Sequence, residues 1–593
     1  MTVNPASFAR ETQPKALDPV ADALSFLLSA GQLSSGSMSP RVLSVLDQLR
    51  GQASSVAGAR GVVTGLLSLT GKEGSATPRE ILATLAQAGD GSANQQGRVS
   101  SAPNTPSAAV LWGHFGLALF DEDRLDDAIW ALRQSLDCQT EDARIWRVLG
   151  NALRLRGEID EAISVYQALL SRRPDQATHR RLLLAMNSSA SLSPEEVAEE
   201  HRRWADLYAA PAENAAANPR AANPDKSPLT VGYVSPDFRS HPVAYFFLPV
   251  VEGHRRDHVR VVAYATTKAS DSVRRRIRAA ADQWREVAGW SRDRLLRQIR
   301  ADGVDILVDL AGHFTGNRLD VFACRAAPVQ VTYLGYPNTT GLRAMDYRLV
   351  DPVSDPPGRA DALATEELIR LAPGFLAFEP PSDAPAVAES PAVARGYITF
   401  GSFNRIAKLS PPTIETWAAL LESVANARLL LKSNGLTTEG SRERLRMAFS
   451  NAGLHDLSRL DLRNYVPSRR AHLALYGELD IALDPFPYNG TTTTCQALWM
   501  GVPVVALEGA AHVSRMGMSL LQQVGLSAHI AKDREAYVRI AANLASQVEQ
   551  LNALRHCLRP MMASSPLLDH VGFVRQLEHA YRTLWRRACG SRS

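Results

Sequence analysis

A thirty-four-residue self-similarity does most to restrict what this chain can fold into. Trp112, Gly116, Ala118, Leu125 and Ala128 are answered by Trp146, Gly150, Ala152, Ile159 and Ala162 at that spacing. Such a period marks a helix–turn–helix unit that cannot bury its apolar face alone and must stack on a copy of itself. The small residues fall where two antiparallel helices approach closely, and Trp and Leu fill the groove between them. A weaker third copy starts at "ATHRRLLLAMN" (177–187). "SPEEVAEEHRRWADLYA" (193–209) then predicts an amphipathic helix opened by a Ser193/Glu196 capping box. The repeats either stiffen this part of the chain or grip a protein partner on a concave face, and the architecture favours the grip.

After an Ala/Asn/Pro-rich linker at 210–228 the periodicity changes. "LTVGYVSPDF" (229–238), "VRVVAYATT" (259–267), "VDILVDLAGH" (304–313) and "PVQVTYLGYP" (328–337) read as buried strands with helical segments between them. Alternating strands and helices imply a parallel sheet with right-handed crossovers, hence a Rossmann-like lobe. A Pro/Ala/Glu-rich joint at 379–396 leads to a second such region. Its strand candidates are "YITFGSFN" (397–404), "ARLLLKS" (427–433), "DIALDPF" (480–486) and "VPVVAL" (502–507). Two hinged lobes make a deep cleft, and ligands collect at the carboxyl ends of the strands. Polar residues gather there: Asp237 and His241 after the first strand, Gly312 and His313 after another, Gly335 to Asn338 after a third.

Bulk composition excludes more than it selects. With 45% hydrophobic and 21% charged residues and a net charge of +4, the chain is an ordinary globular one. That balance gives no case for nucleic acid, and Arg274-Arg275-Arg276 reads as a solvated helix face. Five scattered cysteines (Cys138, Cys324, Cys495, Cys557, Cys589) without a CxxC pair argue for a reducing compartment and against structural zinc. No signal peptide or membrane-length apolar run is evident, so a cytoplasmic protein without membrane contact is expected. Residues 1–107 predict helical stretches ending in a flexible linker at 91–107, with no assignable chemistry.

One turn needs a ligand-based or a local explanation. "DPFPYNGTTTTCQALWMGVPVV" (484–505) places Gly490 and the threonines Thr491, Thr492 and Thr493 between a strand and a helix. Free backbone N–H groups, hydroxyls and the positive end of a helix dipole suit a phosphate or diphosphate. Alone, the turn fits a helix start without a ligand equally well. No GxxxxGK[ST] pattern is present, which disfavours nucleotide hydrolysis. "GSFNRIAKLSPPTIETWAALL" (401–421) adds Arg405 and Lys408 in the loop after the second lobe's first strand, two cations able to face the same anion. Each also reads as a surface charge. Cys495 reads as a small packing residue.

The repeats together with "VGYVSPDFRSHPV", "DLAGHFTGNRLDVFACRAAPVQVTYLGYPNTTG", "FGSFNRIAKLSPPTIETWAALL" and "LDPFPYNGTTTTCQALWMGVPVV" resemble the O-GlcNAc transferase/SPINDLY family of protein glycosyltransferases, the last motif being nearer the SPINDLY side and its bacterial relatives. The repeats themselves resemble tetratricopeptide repeats. The resemblance implies a helical tetratricopeptide region (108–209), a GT-B fold with lobes at 229–378 and 397–565, and a closing helix at 566–593. It implies an inverting, metal-independent enzyme with a nucleotide sugar as co-substrate and no cofactor. Lys408 then neutralises the leaving phosphate, and Arg405, Thr492 and Thr493 touch it. His472 lies against the nucleobase, His241 stands beside the reacting centre, and the Leu334 and Gly335 backbone lines the sugar. Asp237 and His313 are weaker candidates. Gln496 stands where the family usually has an acid that holds the donor ribose, which opens the donor identity: UDP-GlcNAc by default, GDP-fucose, or a CMP-nonulosonic acid transferred to flagellin. The alternative from another class is an inactive repeat adaptor.

Overall fold

The computed structural model describes residues 108–121, 123–138, 141–209 and 221–590. The expectations for 1–107 and for most of the 210–228 linker lie outside these residues. The chain divides into two compact units with the boundary between Arg173 and Pro174.

In the first unit, α1 (Ala108–Asp121), α2 (Leu125–Asp137), α3 (Ala143–Arg156) and α4 (Ile159–Arg172) pair as two antiparallel hairpins. The repeated glycines mark the tightest approaches. A Cβ on Gly116 would lie 2.5 Å from Leu132 Cγ, and one on Gly150 would lie 2.4 Å from Tyr166 Cε1. Ala128, Ala152 and Ala162 are fully buried at the same seams. Trp112 packs edge-on against Trp130, with ring centroids 5.1 Å apart.

The second unit opens with α5 (Gln176–Met186) and α6 (Pro194–Tyr208). The Ser193/Glu196 capping box is formed. Periodicity predicts α6 as a helix that connects onward from the repeats, but its apolar face packs against the first Rossmann-like lobe. Trp204 is 1% exposed and meets the His313 ring at 4.5 Å.

The first lobe is a seven-stranded parallel sheet of β1 (Leu229–Ser235), β2 (Val259–Ala265), β3 (Gln283–Glu286), β4 (Ile306–Asp309), β5 (Val329–Thr332), β6 (Tyr347–Val350) and β7 (Glu367–Arg370). Its order is β3-β2-β1-β4-β5-β6-β7. The second is a six-stranded parallel sheet of β8 (Thr399–Ser402), β9 (Arg428–Lys432), β10 (Leu460–Arg463), β11 (Ile481–Leu483), β12 (Val504–Leu507) and β13 (Ile530–Ala531), ordered β10-β9-β8-β11-β12-β13. Helices cover both faces, so central strands are buried along their whole length and read as unbroken apolar runs.

The helix His570–Gly590 returns to the first lobe. Its Glu578 accepts from the Arg255 amide at 2.9 Å, its Trp585 indole donates to the Asn223 carbonyl at 2.7 Å, and Tyr581 reaches the Tyr233 hydroxyl. The lobes also meet directly. Ser519 donates to Asp351 at 2.7 Å, Arg515 to the Val353 carbonyl at 2.7 Å, and His512 pairs with Asp355.

Candidate active site

Two loops at the carboxyl ends of β8 and β11 build the second lobe's side of the site. Ser410 caps the helix Pro411–Ser423, and the Ser410 and Thr413 hydroxyls both donate to the Phe486 carbonyl at 2.6 Å, tying the loops together. Lys408, half-buried, donates to the Asn489 carbonyl at 2.6 Å and lies 4.1 Å over the Tyr488 ring. This is how one loop's cation comes to stand at the other loop's threonine turn.

Thr491 starts the helix Thr492–Trp499 without a side-chain hydrogen bond to its amides. Thr493 donates to Asn404 at 3.0 Å, and Thr494 donates back to the Gly490 carbonyl. Gly490 is required by space, since a Cβ there would lie 2.3 Å from Thr493 Oγ1 and 2.9 Å from Asp484 Oδ1. Its amide donates to Asp484 Oδ1 at 2.6 Å, whereas the buried Asp484 Oδ2 has no hydrogen-bond partner among the described residues. Burial raises the Asp484 pKa and lowers that of Lys408, and the attraction of each for the other works against both shifts. A narrow pocket opens here, lined by Phe403, Asn404, Tyr476, Asp484, Thr493 and Thr494.

Beside this turn, His472 on the helix Arg469–Ala474 faces Gln496 Oε1 through Nε2 at 3.2 Å and Lys432 Nζ through Nδ1 at 2.7 Å. Burial, then the Lys432 charge, pushes its pKa down to about 4, so the ring is neutral at physiological pH. Phe403 and Tyr476 pack around the ring at 5.8 and 5.6 Å.

Across the cleft, His241 follows β1. Its Nδ1 accepts from the Val243 amide at 3.3 Å and stands 3.5 Å from Asp237 Oδ1. Burial, then the positive charges of Arg239 and Arg405, push its pKa down to about 3. Arg405 belongs to the opposite lobe and is exposed, so its charge links the two halves of the site. With Nδ1 occupied as an acceptor and the ring neutral, the proton sits on Nε2. Burial lifts Asp237 to about 6 against the pull of Arg239.

Leu334 adopts a left-handed φ of 69°, which a branched side chain accepts only where the surroundings enforce it. The next residue supplies the reason: a Cβ on Gly335 would lie 1.9 Å from the Leu310 carbonyl oxygen. The turn rests on the end of β4, and α5 and α6 brace it from behind. Asn187 donates to the Tyr336 hydroxyl at 2.8 Å, and that hydroxyl meets His201 Nε2 at 2.7 Å.

His313 does not belong with these residues. It is 1% exposed, bonded through Nε2 to the Thr340 carbonyl, and packed among His201, Trp204 and Tyr336. A histidine at a strand end reads as a site residue until α6 is seen to cover it. Reasoning from sequence also passed over Asn404, Lys432 and Asp484. Each ends a strand or begins the loop after one, and that position at a sheet's carboxyl edge is the signal that points to them.

The chain is similar to known glycosyltransferases over the region just described. The family model for glycosyl transferase family 41 matches residues 209–377 and 390–577, and a tetratricopeptide repeat model matches 143–186. The probable UDP-N-acetylglucosamine–peptide N-acetylglucosaminyltransferase SPINDLY of Oryza sativa subsp. japonica is 39% identical over 434 residues, covering 72% of this chain and 46% of that protein. The Arabidopsis thaliana protein SEC, given the same probable activity, is 30% identical over 61% of this chain and 37% of its own length. This chain therefore spans about half the length of these curated relatives or less. The solved structure of a mutant of the Thermobaculum terrenum O-GlcNAc transferase superposes with a TM-score of 0.75 at 35% identity, covering 94% of this chain and all of that one. Helical repeats followed by two parallel-sheet lobes are thus the GT-B arrangement, and with the family model laid across both lobes, the chain belongs to glycosyl transferase family 41.

Proposed function

We propose that this chain is a protein O-glycosyltransferase, with UDP-GlcNAc as its default donor and Ser or Thr of a protein acceptor, held by the tetratricopeptide unit, as its target. The observation that carries this reading is the meeting of Lys408 with the uncapped helix start at Thr491–Thr493, across from His241. The names of the relatives, UDP-N-acetylglucosamine–peptide N-acetylglucosaminyltransferases, support the same activity class.

In the reaction, the acceptor hydroxyl oxygen bonds to the anomeric carbon while the bond from that carbon to the phosphate oxygen breaks. The electron pair leaves with the nucleotide, and the hydroxyl proton goes to solvent or to the departing phosphate. Lys408, Arg405 and the threonine-turn amides meet the charge that grows on the phosphate, a preorganised electrostatic role. These cations serve where a divalent ion would otherwise be needed, so chelation by EDTA is expected to leave the rate unchanged. His241, neutral with its proton on Nε2, orients the acceptor or sugar as a hydrogen-bond donor and is not the general base. Attack from the face opposite the phosphate inverts the anomeric centre. The scattered cysteines, none in a CxxC pair, support a cytoplasmic setting for this chemistry. Among the described residues no helix is long and apolar enough to cross a membrane.

Gln496 supports a second donor reading. A neutral amide replaces the acid expected against the ribose, so GDP-fucose and CMP-nonulosonic acid, with flagellin as acceptor in the latter case, belong in the same test. Thermal shift against each nucleotide sugar ranks the donors, and intact mass of a co-expressed acceptor identifies the sugar by its added mass. A chain that no nucleotide sugar stabilises, and that leaves every acceptor at its unmodified mass, is a repeat adaptor and not an enzyme.

A further inference from the structure

Strand β9 ends in an unexpected residue. Leu429, Leu430 and Leu431 are buried as a central parallel strand requires, yet Lys432, the next residue, is itself only 4% exposed. A buried ammonium demands compensation. Among the described residues no carboxylate forms an ion pair with it. Its Nζ instead donates to His472 Nδ1 at 2.7 Å and lies 5.1 Å from the Phe403 ring and 5.7 Å from the Tyr465 ring.

This arrangement propagates a direction. An ammonium has only hydrogens to offer, so His472 Nδ1 must accept and the ring proton sits on Nε2. Nε2 therefore donates to Gln496 Oε1, and the amide is held with its carbonyl toward the histidine and its NH₂ away from it. A carboxylate at 496 would accept from Nε2 and balance the lysine's charge across the ring. Glutamine leaves the ring neutral and the lysine as the one charge among the three.

We infer that Lys432 is a positioning residue for the donor nucleoside: acting through His472, it turns the Gln496 amide so that the site offers N–H hydrogens to hydroxyl or carbonyl oxygens of the nucleoside, where an acid would accept from ribose hydroxyls. The inference rests on the nucleotide-sugar reading of the same site.

The test is a double-mutant cycle on Lys432 and Gln496, assayed with whichever of UDP-GlcNAc, GDP-fucose or a CMP-sugar the unaltered protein turns over. Lys432→Met is expected to raise the donor KM about tenfold, the size expected for losing a hydrogen bond from a charged group, with kcat within about twofold. Gln496→Ala is expected to raise KM similarly, and the double variant no further, because both changes cut one relay. Lys432→Arg keeps the cation and its N–H donors, and is expected to raise KM by less than about threefold; it carries the comparison if the methionine variant melts below the assay temperature. Additive effects in the cycle, an unchanged KM in Lys432→Met, or a loss confined to kcat would each overturn the inference while the donor site stands. An unaltered protein that binds none of the three donors overturns the donor-site reading itself.

Discussion

Asp309 and Asp484 occupy matching places in the two lobes and are treated in opposite ways. Asp309 ends β4, next to the lobe's first strand β1, and Asp484 follows β11, next to β8. Each carboxylate receives backbone amides from the turn that follows its strand. Asp309 is fully satisfied, by the Ala311 amide at 3.1 Å, the Gly312 amide at 2.8 Å and the Thr332 hydroxyl at 3.0 Å. Asp484 has the Gly490 amide on one oxygen and no hydrogen-bond partner on the other among the described residues. The same fold position is sealed in the first lobe and left open in the second. Closing a turn with its own side chains stabilises it, whereas the turn proposed to receive phosphate keeps donors and charge in reserve.

The largest effect should come from removing that reserve. Lys408→Ala takes away the cation at the open turn and is expected to lower kcat/KM by about a hundred- to a thousandfold, corresponding to about 2.7–4 kcal/mol of barrier. The melting temperature should fall modestly, because the buried Asp484 carboxylate loses its neighbouring cation. Normal turnover by this variant would place the phosphate elsewhere and erase the functional side of the contrast.

Acid should act on buried histidines and buried aspartates in both lobes, and in opposite directions. His201 and His241 in the first lobe's surroundings have folded pKa values pushed down to about 4 and about 3, and His472 in the second to about 4, each mainly by burial. Between these values and 6.5 the unfolded chain binds the extra protons, so the stability they contribute at neutral pH is lost as pH falls through that window. For the fully buried His201 the loss from pH 6.5 to 5 is about 2 kcal/mol. Asp237, Asp309 and Asp484 run the other way, since burial raises the first two to about 6 and the third to about 7, and acidification relieves them. The two sets nearly offset, and a net fall of no more than about 1 kcal/mol in unfolding free energy from pH 6.5 to 5 is expected. Denaturant midpoints at the two pH values measure it, and a fall of several kcal/mol would mean that the aspartates are hydrated and the rings alone set the balance.

The sequence made the centre of each sheet legible and left its margins obscure. β1, β2, β4, β5, β8, β9, β11 and β12 are apolar runs because helices cover both faces. β3 ("QWRE") and β10 ("LDLR") are edge strands with polar faces, and β13 is two residues long, so none carries a hydrophobic signature. Lys408 and the threonine turn could be named because they stand in a loop and a turn of distinctive composition, whereas His472 and Gln496, both on helices, were named only through the family resemblance. Lys432 could not, since "RLLLK" reads as a strand with ordinary polar punctuation. Only the pairing of β9 with β8 sets it against a histidine forty positions later. α6 failed in the converse way: its amphipathic period was plain, but no local pattern tells which surface an apolar face will cover. His313 was misjudged for the same reason.

Exchanging the two aspartates for asparagine should separate fold from function. Asp309→Asn sets an NH₂ group among three donors and is expected to cost about 2 kcal/mol of stability while leaving the donor KM alone. Asp484→Asn removes a buried charge with an unpartnered oxygen, and Asn still accepts from Gly490, so stability should hold or rise. Its cost falls on chemistry. The Asp484 charge is what holds the Lys408 pKa up against burial, so without it the basic limb of the pH–rate profile should move about one unit lower. If both variants lost stability equally with unshifted profiles, the two positions would be alike and the contrast void.

The smallest effect probes whether the open turn depends on its own hydroxyls at all. Thr493→Val keeps the side chain's shape but deletes the bond from Oγ1 to Asn404 Oδ1. That is a neutral pair at the half-buried mouth of the cavity, and its loss should cost about 1 kcal/mol of stability. Thr332→Val in the first lobe removes a hydroxyl donated to the fully buried Asp309 carboxylate and should cost up to about twice as much, since hydrogen bonds to charged groups are the stronger class. For donor binding the ranking should reverse. Thr493 stands in the turn assigned to phosphate and Thr332 does not, so calorimetry with the nucleoside diphosphate should register only the Thr493 variant. Equal binding by the two would mean that the turn's backbone amides alone hold the phosphate and that the run of threonines serves packing.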